Sequence, residues 1–186
     1  HRDHVEVIGT LGERPGSTVV VESPEEVLVL EPNGRPVAVI TQTTLSLDDV
    51  APIVSALANK VGSTLRRPDA EDICYATQNR QDAVKRLAEE ATLILVIGSP
   101  SSSNAQRLVE VAKAAGAAAT LIDGESELDP VLLNGHRTIG LTAGASTPEQ
   151  LVQATVLRLA NAGYTELEEI TVAREDVKFR LPREVA

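Results

Sequence analysis

Short aliphatic runs alternate with amphipathic segments along most of the chain. Five of these runs have the length and composition of buried strands, at residues 5–8, 37–41, 93–98, 117–122 and 138–142. Nearly continuous Val, Ile and Leu is typical of parallel strands covered on both faces. A glycine-rich turn is predicted at residues 9–16, and another apolar run follows at residues 19–22.

Helix start signals fall between the strands. Ser23 followed by Pro24 begins one helix, because serine caps the first turn and proline suits its first position. Ser46, followed by Leu47-Asp48-Asp49, caps a second helix, and Ser103 with Gln106 is the expected cap of a third. Further helices are predicted at residues 79–91, 128–133 and about 147–162.

Strands that alternate with helices pair in parallel through right-handed crossovers. Residues 62–68 are rich in turn formers and divide the chain. We therefore expect an α/β fold of two similar small parallel-sheet domains, residues 1–68 and residues 69–163. A charged tail follows at residues 164–186, in which residues 177–181 alternate like an edge strand.

The amino-acid composition excludes several classes of protein function. The net charge is −10 and aromatic residues make up 2%, which argues against a nucleic-acid binder. The apolar runs are too short to cross a membrane. One cysteine excludes an internal disulfide framework and a self-contained cysteine zinc site. We expect a soluble, cytoplasmic protein, and, because the sequence contains no Met, one that begins inside a longer reading frame.

Small hydroxyl and amide side chains follow three of the predicted strands, at residues 41–44, 99–104 and 143–146. In parallel sheets ligands lie beyond the carboxyl ends of the strands, beside helix N-termini that favour anions. The three junctions together predict an anion site built from hydroxyls and backbone N–H groups. Each junction alone is better explained as an ordinary helix cap.

Three other residues have candidate chemistry. His4 and Glu6 lie two apart near a predicted strand, so they share one face and can bind a ligand and transfer a proton. A polar edge strand explains the same spacing. Cys74 precedes a predicted helix, whose N-terminus favours a thiolate, although a lone cysteine is more often an inert buried residue.

These residues lie within longer motifs that closely resemble the 4-hydroxy-3-methylbut-2-enyl diphosphate reductase family, in order along essentially the whole chain. The motifs are His4 with Glu6, Gly9 and Thr10; Thr41-Gln42-Thr43-Thr44-Leu45-Ser46 with Asp48-Asp49; Asp72-Ile73-Cys74-Tyr75-Ala76-Thr77 with Asn79-Arg80-Gln81; Gly98-Ser99 with Ser102-Ser103-Asn104; and Thr142-Ala143-Gly144-Ala145-Ser146.

The resemblance implies three similar α/β domains around a 4Fe–4S cluster, with one cysteine ligand from each domain. It implies reductive removal of the substrate hydroxyl to give isopentenyl and dimethylallyl diphosphates, with electrons from a low-potential donor such as ferredoxin or flavodoxin. It makes Cys74 one cluster ligand and Glu6 the proton donor. By the same resemblance the substrate contacts are His4, Thr43, Ser102, Ser103, Asn104 and Ser146.

The sequence departs from the family in one respect. The other two cysteine ligands belong to an N-terminal domain that has no counterpart here, so the resemblance covers the second and third domains and the tail. We therefore expect this chain alone to be inactive. Two other functions stay open: a cluster-free diphosphate-binding module, and a scaffold whose exposed flank mediates association.

Overall fold

The computed structural model describes residues 1–68 and 72–174. The first half, residues 1–68, has three helices and two very short strands. These are α1 (Val5–Glu13), α2 (Pro24–Leu28), β1 (Val37–Ala38), α3 (Leu47–Val61) and β2 (Leu65–Arg66). β1 and β2 pair in parallel, with Val37 opposite Leu65.

The second half has four helices and three longer strands. These are α4 (Tyr75–Ala88), β3 (Leu93–Ile97), α5 (Ser103–Ala114), β4 (Ala118–Ile122), α6 (Pro130–Leu133), β5 (Ile139–Ala143) and α7 (Glu149–Asn161). β3 lies between β4 and β5 and is parallel to both. The predicted α/β class with parallel sheets is confirmed, whereas the domain boundaries stay a prediction.

The core of the second half surrounds β3. Ile94 and Val96 pack with α4 and α5 on one face of the sheet, and Leu95 and Ile97 pack with Leu159 of α7 on the other. All five residues of β3 are buried, which explains its uninterrupted aliphatic sequence.

The strand predicted at residues 5–8 is wrong, because these residues begin helix α1. The side chain of His4 caps it by accepting a hydrogen bond from the Glu6 N–H. Thr10 Oγ1 donates to the Glu6 carbonyl one turn back. Four apolar residues do not distinguish a strand from a helix by periodicity, and histidine is not among the usual capping residues.

The turn predicted at residues 9–16 is wrong in its first part, because residues 9–13 belong to α1. The strand predicted at residues 37–41 is reduced to Val37–Ala38, and the other predicted elements are present with shifted ends. Ser23 and Ser46 cap α2 and α3 as predicted. α4 begins at Tyr75 rather than near residue 79, and residues 19–22 belong to no helix or strand. The edge strand predicted at residues 177–181 lies outside the described residues. Within the described ranges, no helix is long and apolar enough to cross a membrane.

Candidate functional site

The N-terminus of α5 lies directly beyond the carboxyl end of β3. Ser102 is its cap and accepts a hydrogen bond from the Ala105 N–H. The expectation that Ser103 is the cap is therefore wrong: Ser103 is the first helical residue. Its proposed partner Gln106 instead donates from Nε2 to the carbonyl of Pro100, which closes the preceding loop. Ser103 is consequently free to contact groups outside its own helix.

The Asn104 side chain is buried but has no hydrogen-bond partner. Only 9% of the residue is exposed, yet neither Nδ2 nor Oδ1 has a partner among the described residues. A Cβ added at Gly144 would lie 3.7 Å from Nδ2 of Asn104, so this amide lies beside the loop that follows β5. Because buried polar groups are almost always hydrogen-bonded, the unpaired amide indicates a ligand-binding position at these strand ends.

His4 connects the first half to this position. Its Nε2 lies 2.6 Å from Oγ of Ser103, while its Nδ1 accepts the hydrogen bond from the Glu6 N–H at 3.3 Å. A neutral imidazole with Nδ1 as acceptor has its proton on Nε2, which then donates to Ser103. The Ser103 hydroxyl proton is therefore left available for an anion.

Glu6, Thr43 and Cys74 form a second group. Both carboxylate oxygens of Glu6 accept from the backbone N–H of Thr43, at 3.1 and 3.4 Å, and Thr43 Oγ1 donates to one of them at 3.3 Å. The Thr43 carbonyl in turn accepts from the N–H of Cys74 at 3.0 Å. His4 and Glu6 are thus related through a helix start, and not through the shared strand face that the sequence suggested.

Cys74 is the N-cap residue of α4, its side chain makes no capping hydrogen bond, and it is exposed to solvent. It is therefore not the inert buried cysteine of the alternative interpretation. The preceding loop is fixed by Asp72, whose Oδ2 accepts from the N–H of Thr41 at 2.7 Å. No group of three His, Cys, Asp or Glu residues in the described part of the chain is placed to hold a metal ion.

Ser146 is not brought into hydrogen-bonding contact with these residues. It is exposed in the loop after β5. Its neighbour Thr147 instead donates from Oγ1 to the Ile97 carbonyl at 3.0 Å, and Gly144 N–H donates to the same carbonyl at 2.9 Å. Gly144 lies within one of the sequence motifs, whereas Thr147 appears in the sequence only as the start of the last predicted helix. They fix the β5 loop against the end of β3.

Two basic residues of the second half, Arg107 of α5 and Lys85 of α4, are already paired with carboxylates. Arg107 contacts Asp49 and Glu110, each at 2.6 Å. Lys85 contacts Asp48 at 2.6 Å, and this hydrogen bond raises the pKa of Lys85. An anion at Asn104 would therefore be held by neutral donors and by the N-terminal end of the α5 dipole.

The Asp48 and Asp49 contacts also join α3 of the first half to α4 and α5 of the second. A cavity of about 270 Å³ lies beside the His4–Ser103 contact and is lined by Gln106, Arg107 and Glu110. His4 and Ser103 also line this cavity, whereas Asn104 does not, so we do not identify it with the anion position at Asn104.

Comparisons with known proteins agree with the motifs. A family model described as "LytB protein" matches residues 1–160. The "4-hydroxy-3-methylbut-2-enyl diphosphate reductase 2" of Burkholderia mallei (strain ATCC 23344) is 48% identical over 184 residues, which are 98% of this chain and 56% of that protein. The reductase of Mycobacterium sp. (strain KMS) is 48% identical over 189 residues, 100% of this chain and 56% of that protein.

A solved structure shows the same fold. It is that of the E-1-hydroxy-2-methyl-but-2-enyl-4-diphosphate reductase from Plasmodium falciparum, with a TM-score of 0.88 and 37% sequence identity over 99% of this chain and 58% of that one. The chain spans about half the length of the curated relatives it matches. The resemblance read from the motifs is confirmed, and the chain belongs to the LytB protein family.

Proposed function

We propose that this chain is the part of a 4-hydroxy-3-methylbut-2-enyl diphosphate reductase that holds the substrate diphosphate and supplies a proton. The relatives are named for that reaction. In the whole protein, the hydroxyl of the substrate is removed and isopentenyl and dimethylallyl diphosphates are formed. The observation that carries the proposal is the buried, unpaired amide of Asn104 at the N-terminus of α5.

The diphosphate is held by neutral donors at the strand ends. Asn104 Nδ2 and the hydroxyl of Ser103 donate to phosphate oxygens, and His4 orients Ser103 through its 2.6 Å contact. Ser102 keeps its hydroxyl proton while its oxygen caps the helix, so it also donates. Ser146 completes the site from the loop beside Gly144. Such donors suit an anion in a chain of net charge −10, because surrounding carboxylates would compete for any basic group.

Glu6 is the proposed proton donor, and Thr43 contacts the substrate beside it. The two Thr43 donors fix both oxygens of the Glu6 carboxyl group. A carboxyl group held in one orientation can deliver a proton to a fixed point on the substrate.

The residues of this chain do not by themselves fit a 4Fe–4S cluster. Cys74 is the single cysteine in 186 residues, whereas such clusters are held by several cysteine thiolates. We propose Cys74 as one ligand, with further thiolates from elsewhere in the whole protein. The electrons would come from a low-potential donor such as ferredoxin or flavodoxin. For the isolated chain, which has one cysteine, the unpaired Asn104 amide supports a second candidate function, cluster-free diphosphate binding.

The test uses a protein in which this chain is joined to the remaining length found in its relatives. That protein should convert 4-hydroxy-3-methylbut-2-enyl diphosphate, and Glu6→Gln should lower turnover by about 10²- to 10⁴-fold, the usual contribution of a general acid. Diphosphate binding should change little, because Gln still accepts from Thr43. Turnover of the variant within about threefold of the parent would show that another group donates the proton.

A further inference from the structure

The segment that carries Thr43 is held from the second half of the chain. Residues 41–46 lie between β1 and α3, and we call them the Thr43 loop. Thr43 itself is exposed, so packing does not fix the direction of the donors that it offers to Glu6. A residue with few buried contacts keeps one position only where hydrogen bonds hold its backbone. The bonds that anchor the Thr43 loop therefore determine where the Glu6 carboxyl group is held.

Three hydrogen bonds anchor alternate residues of the Thr43 loop to α4 and to the segment before it. The bonded pairs are Thr41 with Asp72, Thr43 with Cys74, and Leu45 with Gln81. Lys85, one turn after Gln81 on α4, continues the series with Asp48 at 2.6 Å. The partners follow one another in the same order along both segments, so the two segments run side by side in the same direction.

The third of these bonds comes from a buried side chain. Nε2 of Gln81 donates to the Leu45 carbonyl at 3.1 Å, across 36 positions of sequence, and 3% of Gln81 is exposed. Burial of an amide costs free energy unless its polar atoms are hydrogen-bonded. An aliphatic residue of similar size would therefore fill this position of α4 at less cost. Packing does not explain the glutamine, whereas anchoring of the Thr43 loop does.

We propose that Gln81 is a positioning residue for the proton donor Glu6 and acts through the Thr43 loop. Gln81 holds the Leu45 carbonyl, two residues beyond Thr43, and Thr43 donates from its N–H and Oγ1 to the Glu6 carboxylate. Without this anchor the Glu6 carboxyl group keeps its chemistry but loses its fixed orientation. The inference rests on the proposed role of Glu6, although the geometry can be measured without turnover.

Amide hydrogen exchange, followed by NMR in this chain, tests the geometry. Gln81→Met keeps the length of the side chain and removes the Nε2 donor. It should speed exchange of the Thr43 and Cys74 N–H groups by about fivefold, because both of their hydrogen bonds depend on the position of the Thr43 loop. The Ala105 N–H, which donates to Ser102 at the start of α5, should exchange as it does in the parent.

Two matched variants separate this effect from a general loss of stability. Gln153→Met makes the same replacement at an exposed position of α7 and should leave exchange at Thr43 unchanged. Val84→Ala shortens a fully buried side chain of α4, the helix that carries Gln81. It should speed exchange along α4 as a whole, without a selective change at Thr43.

Turnover of the protein joined to the remaining length of its relatives tests the chemical consequence. Gln81→Met should lower kcat by about tenfold, since a small misplacement of a reacting group is costly. KM should stay within about threefold of the parent, because the proposed diphosphate contacts Ser103 and Asn104 lie on α5. In a Glu6→Gln background, Gln81→Met should cause no further loss, whereas independent effects would multiply.

Three results would overturn the proposal: unchanged exchange at Thr43 in Gln81→Met, the same selective change in Val84→Ala, or losses in kcat that multiply in the double variant. Failure of the proposed function gives a different pattern. Glu6→Gln would then retain turnover while Gln81→Met still speeds exchange at Thr43. That pattern would refute Glu6 as the proton donor and support the anchoring of the Thr43 loop by Gln81.

Discussion

Replacing Asn104 by alanine should weaken pyrophosphate binding about tenfold without destabilising the fold. A hydrogen bond to a charged acceptor contributes about 1.5–3 kcal/mol, and a tenfold loss corresponds to about 1.4 kcal/mol. The substitution should weaken ligand binding and leave the fold intact, because the Asn104 amide makes no hydrogen bond within the described chain that would be lost.

Asn104→Ala should raise the thermal stability of the ligand-free protein or leave it unchanged. Leaving a buried polar group unpaired costs about 1–3 kcal/mol, and alanine is also the better helix former at this position. The melting temperature of Asn104→Ala should therefore equal or exceed that of the parent. Isothermal titration calorimetry with pyrophosphate and a thermal melt measure the two quantities separately.

Two control variants separate an effect on ligand binding from an effect on stability. Asn134→Ala changes an exposed asparagine at the end of α6 and should affect neither quantity. Ser102→Ala removes the α5 cap and should lower stability by about 1 kcal/mol. If Asn104→Ala leaves affinity unchanged and lowers the melting temperature, Asn104 is a structural residue and the reasoning fails.

Two further predictions concern the cluster and the contact between the halves. Anaerobic reconstitution of this chain with iron and sulfide should give no stable stoichiometric cluster, since one thiolate cannot replace several; a stable cluster on the monomer, seen by absorption and iron analysis, would contradict this. Because Asp48 raises the pKa of Lys85 above its ordinary value of 10.5, the stability from this pair is present below that value and lost as pH rises through the raised pKa. Between about pH 9 and about pH 12, chemical denaturation should therefore show a larger loss of stability for the parent than for Lys85→Met. The control Lys113→Met should behave as the parent does. Equal losses in Lys85→Met and the parent would refute the coupling.

The elements whose sequence signals are local and strong could be predicted well in both halves of the fold. The aliphatic sequence of β3 and the serine caps of α2 and α3 are sufficient to place those elements. The start of α1 could not be placed, because its cap is the histidine side chain of His4 and its apolar run is short. The predicted α5 cap, Ser103, is also one residue beyond the observed cap, Ser102, because adjacent serines offer equivalent capping side chains.

The sequence could nominate residues for the candidate site, whose roles stay predictions, but it could not give their geometry. Chemistry at the strand ends indicated an anion site, and the family motifs supplied the individual residues. The His4–Ser103 contact joins residues 99 apart in the sequence, so no spacing rule could reveal it. The chain of contacts from Glu6 through Thr43 to Cys74 likewise depends on how the two halves pack. The functional roles of all these residues, Ser146 included, stay predictions.

The most direct test of the central claim observes the Asn104 side chain while the anion binds. In a ¹⁵N-labelled sample titrated with pyrophosphate, we expect the Nδ2 resonances of Asn104 and the amide resonances of Ser103 and Gly144 to shift together and saturate at one ligand per chain. Shifts confined to lysine and arginine side chains, with the Asn104 resonances unmoved at saturation, would contradict the account.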